Sequence, residues 1–197
     1  MRAMTFRLPE FLHRFRRDRH GASAIEFALL APLMLTLYIG CVEISEGVAA
    51  DRKVTLTAGA LANLASQVTT ISSTDKDNIL QASIAIMSPY DGTLSAKVSC
   101  LKIAADGTAT VAWGFATAGT APHATGDVVV VPADLKTPGV ASNLVWSEVS
   151  YLYVPVTGFA PGSSNFSYIS TTGITLSDQM YMSPRITPPV YMGTSCT

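Results

Sequence analysis

The sequence predicts an α+β fold, in which a long N-terminal helix precedes a short helix and an antiparallel β-sheet. Small and apolar residues recur at three- and four-residue steps from Gly47 to Val68, the period of an amphipathic helix. After about residue 94 the period changes to two, which is typical of strands with one buried face. The change near Asp91 therefore separates a helical first part from a β-rich second part.

The N-terminal region combines a basic leader with an apolar run. Residues 1–21 contain six of the 13 Lys and Arg residues, whereas residues 22–42 contain one charged residue, Glu26. A helix of that length rises about 30 Å and is able to cross the hydrocarbon core of a bilayer. Because basic residues precede the run and acidic residues follow it, the N-terminus is expected in the cytoplasm and residues 43–197 outside.

Three interpretations of the apolar run leave Glu26 without a role. A secretory signal peptide would be cut after Ala50, at the end of a run of small residues. A lipoprotein signal would use Cys41, but Tyr38 and Ile39 are unfavourable before such a cysteine. A plain membrane anchor explains the length and the arginines, but not a carboxylate, which costs about 2.5–3.5 kcal/mol at the bilayer centre.

Glu26 gains a role if the chain is cut between Gly21 and Ala22. The cut creates an α-amino cation on Ala22, one helical turn from the Glu26 carboxylate. In a packed assembly, this carboxylate can pair with the new amine of a neighbouring subunit, which relieves two buried charges. The simpler alternative is a hydrated Glu26 at the cytoplasmic interface.

The N-terminal region resembles the TadE-like proteins, pseudopilins of the tight-adherence (Tad, Flp-type) pilus system, in the stretch RRDRHGASAIEFALLAPLMLTLYIGCVEI. In that family a prepilin peptidase cuts after a glycine, and the mature chain has Glu at its fifth position followed by Phe or Tyr. The matching residues are Gly21 and Ala22 at the cut, followed by Glu26 and Phe27. The resemblance implies that the first pair serves processing and the second serves pairing and assembly in the membrane.

The resemblance implies a minor pilin or pseudopilin-like subunit for assembly of an adhesion and secretion pilus. Its implied partners are the bacterial inner membrane, the prepilin peptidase, other pilins and the Tad secretion machinery. Residues 1–21 would be removed, residues 22–42 would span the membrane, and residues 43–197 would be periplasmic or carried into an extracellular pilus. A permanently anchored periplasmic binding module, with its leader retained, is the alternative.

Two helices are expected outside the membrane. The first continues over residues 43–68, because no proline interrupts it before Pro89. The second covers residues 74–87, with Ser73 or Thr74 as its N-cap.

Residues 94–197 are predicted to be β-rich. A hairpin turns at Asp106-Gly107, and the strongest strand lies in NLVWSEVSYLYVPV. GDVVVVP is predicted as a short buried strand, two strand candidates lie in SNFSYISTTGITLSDQMYMSPR, and the proline-containing tail ITPPVYMGTSCT is predicted to be irregular. The segments ending in YMSPR follow, more loosely, the order found in TadE- and TadG-like proteins.

The three cysteines differ in their expected surroundings. Cys41 lies in the apolar run and is interpreted as a small packing residue. Cys100 and Cys196 fall in the periplasmic part, where an oxidising environment favours a disulfide. Two reduced, buried thiols are the alternative.

The sequence contains few residues of the types that commonly form catalytic or metal sites. After Gly21 the only histidine is His123, in a loop where it is predicted to be solvated, so no catalytic residue, metal site or cofactor is expected. Trp113 and Trp146 are predicted in the core rather than as a ligand platform. Without its basic leader the chain is acidic, which disfavours nucleic acid, and no small-molecule substrate is expected.

Overall fold

The structure is a computed structural model, and it describes residues 21–90, 92–137, 139–155 and 173–196. Residues 1–20 of the expected leader lie outside the described residues, as does the first of the two strand candidates between residues 164 and 182. The chain divides into two compact units, Met1–Ile44 and Ser45–Thr197.

Helix α1 (Ala22–Gln67) contributes residues to both units. It is 46 residues long and continues through Pro32. In the first unit its large apolar side chains, such as those of Phe27, Leu29 and Tyr38, are exposed. By length and composition, this helix is able to cross a membrane.

The second part of α1 forms one wall of the core of the second unit. The predicted apolar stripe is confirmed for five of its seven members, which are fully buried, whereas Gly47 and Val68 at its two ends are partly buried. The five are Ala50, Val54, Ala58, Leu61 and Ala65. These mostly small residues allow the sheet to approach the helix backbone closely. The Ser147 hydroxyl on the sheet donates a buried hydrogen bond of 2.6 Å to the Ala58 carbonyl.

The predicted second helix is observed as α2 (Ser73–Met87), but the predicted cap is wrong. Ser72 is the N-cap: its hydroxyl accepts the Asp75 N–H at 3.2 Å, and the Asp75 carboxylate accepts the Ser72 N–H at 3.0 Å. This reciprocal capping box satisfies two N–H groups that would otherwise have no partner in the helix. Hydrogen bonds from Ser72 also hold the pKa of Asp75 below its usual value.

Five strands form an antiparallel sheet with the order β4-β3-β2-β5-β6. Their bounds are Leu94–Ile103 for β2, Ala109–Ala116 for β3, Val128–Val129 for β4, Ser142–Tyr153 for β5 and Ile174–Met182 for β6. Two further short strands, β1 (Thr70–Ile71) and β7 (Val190–Tyr191), form a separate parallel pair. Together with α1 and α2, this arrangement confirms the α+β fold.

The hairpin between β2 and β3 turns at the predicted Asp106-Gly107. Gly107 has a φ of +85°, a left-handed conformation that glycine adopts without steric cost. The Asp106 carboxylate accepts the Thr108 N–H at 2.8 Å, and this hydrogen bond lowers the pKa of Asp106.

A β-bulge allows strand β3 to contribute side chains to two separate hydrophobic clusters. Cys100 pairs with Trp113, but the next residue of β2, Leu101, pairs with Val111, so Ala112 has no partner. Trp113 therefore packs in the cluster that contains α1, whereas Val111 packs in a second cluster on the opposite face of the sheet.

Two sequence predictions in the β-rich region are wrong. In GDVVVVP only Val128–Val129 is a strand, and it lies at the sheet edge, where Val128 and Val130 are exposed. The tail is not wholly irregular, because Val190–Tyr191 pairs with Thr70–Ile71. Both short strands form by pairing with strands that are distant in the sequence, and the local pattern of apolar residues does not predict such pairing.

A disulfide between Cys100 and Cys196 joins the tail to the sheet. The Trp113 indole N–H donates to the Pro189 carbonyl at 3.0 Å, and the Tyr191 ring lies against Trp113 with 5.6 Å between the ring centroids. The tail is therefore held by a covalent bond, a buried hydrogen bond and aromatic packing.

We expect the double substitution of Cys100→Ser and Cys196→Ser to lower the free energy of unfolding by about 4–5 kcal/mol in the chain-entropy model. The bridge spans a sequence separation of 96 residues, so its loss frees a large loop in the unfolded state. Urea denaturation of the full chain in detergent measures the change, with Cys41→Ser as the control that should leave the midpoint unchanged. Peptide mapping without reductant should recover one linked pair, and a freely alkylated Cys196 would contradict the bridge.

Candidate functional site

The predicted processing and assembly residues lie together at the start of α1. Ala22 is the first residue of the helix, and Gly21 directly precedes it. Ala22 and Glu26 are separated by four residues, so they lie on the same face of the helix, about 6 Å apart along its axis. Cys100 and Cys196 belong to the second unit and are not part of this site.

Gly21 has open space around it. A Cβ atom built at this residue would meet nothing within 4 Å, and Gly21 is exposed. The fold of the described residues therefore accepts a side chain here. A requirement for glycine at this residue would therefore not arise from packing against the described residues.

Glu26 lies within an exposed apolar surface. The side chains of Ile25, Phe27, Leu29 and Leu30 are all more than half exposed. Glu26 is itself exposed and carries the only charge between Ala22 and Val42. In a lipid environment this surface offers no counter-charge of its own, so a carboxylate there is costly unless a cation is supplied by another group.

The YMSPR segment contacts α1 in the second unit. The Arg185 guanidinium donates to the Asn63 side-chain oxygen at 2.9 Å, and the Arg185 N–H donates to the Ser66 carbonyl at 3.0 Å. This arginine therefore ties the chain after β6 to the last turns of α1, a structural role that the sequence alone did not reveal.

The prediction that His123 is solvated is wrong. Its ring stacks on Trp146 with 4.7 Å between the ring centroids, and its Nε2 atom makes a hydrogen bond with Glu148. Glu148 is the only charged residue in β5. Its presence in an otherwise uncharged strand was the one feature of the sequence that pointed to a polar partner for this side chain. Trp113 and Trp146 are both buried, as predicted.

The described residues therefore form an apolar helix that is long enough to span a membrane and that continues into an α+β domain. The family model for TadE-like proteins matches residues 21–62, which include Gly21, Ala22, Glu26 and Phe27. The match confirms that this segment resembles the TadE-like proteins, a family associated with the Tad pilus. No curated protein and no solved structure matches the chain.

Proposed function

We propose that the protein is a pseudopilin-like structural subunit for assembly of a Tad/Flp-type pilus. It inserts into the inner membrane with its N-terminus in the cytoplasm, and a prepilin peptidase cuts it between Gly21 and Ala22. The mature subunit then joins other pilins through α1, and its α+β domain lies in the periplasm or on the pilus.

The spacing of the processing and pairing residues supports this proposal most directly. Gly21 and Ala22 stand at the start of α1, and Glu26 follows one helical turn later on an apolar surface. Cleavage gives Ala22 an α-amino cation, which supplies the counter-charge that Glu26 needs in lipid. The TadE-like match covers this same segment.

The position of Ala50 argues against release by a signal peptidase. A cut after Ala50 falls inside α1, where Ala50 and Val54 are already fully buried in the core. Such a cut would separate Ala50 from the buried stripe to which it belongs and leave a new charged terminus beside the core. The cut between Gly21 and Ala22 leaves that stripe intact.

Mass spectrometry of the mature N-terminus tests the proposal. We expect the protein purified from its native membrane to begin at Ala22. A retained leader would instead support the permanently anchored binding module, and a protein that begins at Asp51 would support secretion.

A further inference from the structure

Strands β2, β5 and β6 place two rows of polar side chains on the sheet face that points away from α1. The strand register aligns Ser95, Ser150 and Ser177 in one row, and Lys97, Glu148 and Gln179 in the next. These six residues line an open depression, which we call the outer-face depression. The short serine side chains form its floor, and the longer side chains of the second row rise along one side.

The Gln179 side chain is oriented by two aromatic residues behind it. Its Oε1 atom accepts hydrogen bonds from the Trp146 indole N–H at 3.2 Å and from the Tyr181 hydroxyl at 3.3 Å. Burial, and then the charge of Glu148, raise the pKa of Tyr181, so its hydroxyl remains a donor at neutral pH. Among the described residues the amide N–H groups of Gln179 have no hydrogen-bond partner, so they remain available to a ligand.

Two further lining residues are also held by partners. His123 engages the Oε2 atom of Glu148, which leaves Oε1 as an acceptor. The Thr120 hydroxyl donates to the Ser95 hydroxyl at 2.9 Å, so the Ser95 proton is available for donation. Three polar side chains are therefore oriented before any ligand arrives, which reduces the entropy lost on binding.

The charges around the outer-face depression nearly cancel. Lys97 contributes one cation and Glu148 one carboxylate, whereas Asp178 pairs with Val149, which is buried in the cluster that contains α1 on the other face of the sheet. Within the part of the chain that the structure describes, Glu148 is paired with His123, and no ion pair joins it to Lys97. An anionic ligand would be repelled by Glu148, and an amine by Lys97, so the lining suits an uncharged ligand with many hydroxyl groups.

We infer that the outer-face depression binds a neutral, hydroxyl-rich saccharide. A pair of adjacent sugar hydroxyls is able to donate to Glu148 Oε1 and to accept from Lys97 or the Gln179 amide. The serine floor supplies hydroxyl groups that donate and accept. This site lies outside the processing segment, so it does not depend on the proposed pilus function.

Calorimetric titration of the full chain in nanodiscs, which avoids detergents with sugar head groups, tests the inference. The probes are chitotetraose, maltotetraose and cellotetraose, with glycerol 3-phosphate as the anionic comparison. We expect saturable but weak binding of at least one saccharide at concentrations up to about 10 mM. We expect no binding of glycerol 3-phosphate. Failure of all three saccharides, or tighter binding of the anion, would overturn the inference.

Two substitutions test whether the saccharide binds in the outer-face depression. Ser150→Leu fills its floor and Gln179→Ala removes an oriented donor, so each should weaken binding of the saccharide about tenfold or more. Gln179 is exposed on the edge strand β6, so its variant should fold normally even if Ser150→Leu does not. Thr55→Leu, on an exposed part of α1, is the control. Unchanged affinity in a folded Gln179→Ala protein would show that the saccharide binds elsewhere.

Discussion

Gly21→Val is expected to accumulate as a full-length precursor that still inserts into the membrane. The residue before the cut must fit a narrow peptidase site, and a loss of about 3 kcal/mol in transition-state binding slows cleavage on the order of a hundredfold. Insertion should continue because the apolar run is unchanged. Immunoblots of membrane fractions separate the precursor from the mature chain by size.

The open space around Gly21 makes this experiment specific for processing. A side chain at Gly21 meets no neighbour within 4 Å, so the variant should fold like the wild type. Gly40→Val is the matched control, because Gly40 also has no neighbour within 4 Å but lies within the apolar run. Normal maturation of Gly21→Val would contradict the peptidase cut, whereas a defect in both variants would indicate a general effect on insertion.

Glu26→Ala is expected to be processed but to assemble poorly. Its proposed partner, the α-amino group of Ala22 in a neighbouring subunit, exists only after cleavage and only in an assembly. Removing one member of a buried charge pair costs about 3–5 kcal/mol, because the other charge is left unpaired. We therefore expect assembled pili to fall by about a hundredfold or more, measured by counting pili alongside immunoblots of processing.

Two further variants test the role of the charge. Glu26→Gln keeps the shape of the side chain and removes its charge, so it should also assemble poorly. Glu46→Ala removes an exposed carboxylate from the same helix beyond the apolar run, and it should assemble normally. Wild-type assembly of Glu26→Ala would mean that Glu26 is a hydrated interfacial charge without a role in pairing.

The helices and the two faces of strand β5 were predictable because their patterns are local. The spacing of Ala50, Val54 and Ala58 predicted the buried side of α1, since helical neighbours repeat every three or four residues. In β5, the two-residue alternation of a strand places Val145 and Val149 on one face, and both are buried in the cluster that contains α1.

The disulfide between Cys100 and Cys196 was favoured from the sequence, but other features that depend on partners distant in sequence were not predicted. The bulge at Ala112 is visible only when β3 is aligned with β2, because the β3 sequence alternates without interruption. The His123 contact with Glu148 joins a loop to a strand, and β7 forms only because Thr70–Ile71 is available to pair with it. Gly21, Ala22, Glu26 and Phe27 were identified by resemblance, and the geometry adds the open space around Gly21 and the apolar surface around Glu26.

The continuity of α1 has a practical consequence for preparing a water-soluble fragment. Removal of the whole helix through Gln67 would delete several fully buried side chains, including five of the apolar stripe: Ala50, Val54, Ala58, Leu61 and Ala65. Truncation near Ser45, where the second unit begins, removes the apolar run and keeps all five. The useful boundary for expression therefore lies inside a helix, between its lipid-facing and core-forming parts, and a fragment designed to start at the next loop would begin without one wall of its core.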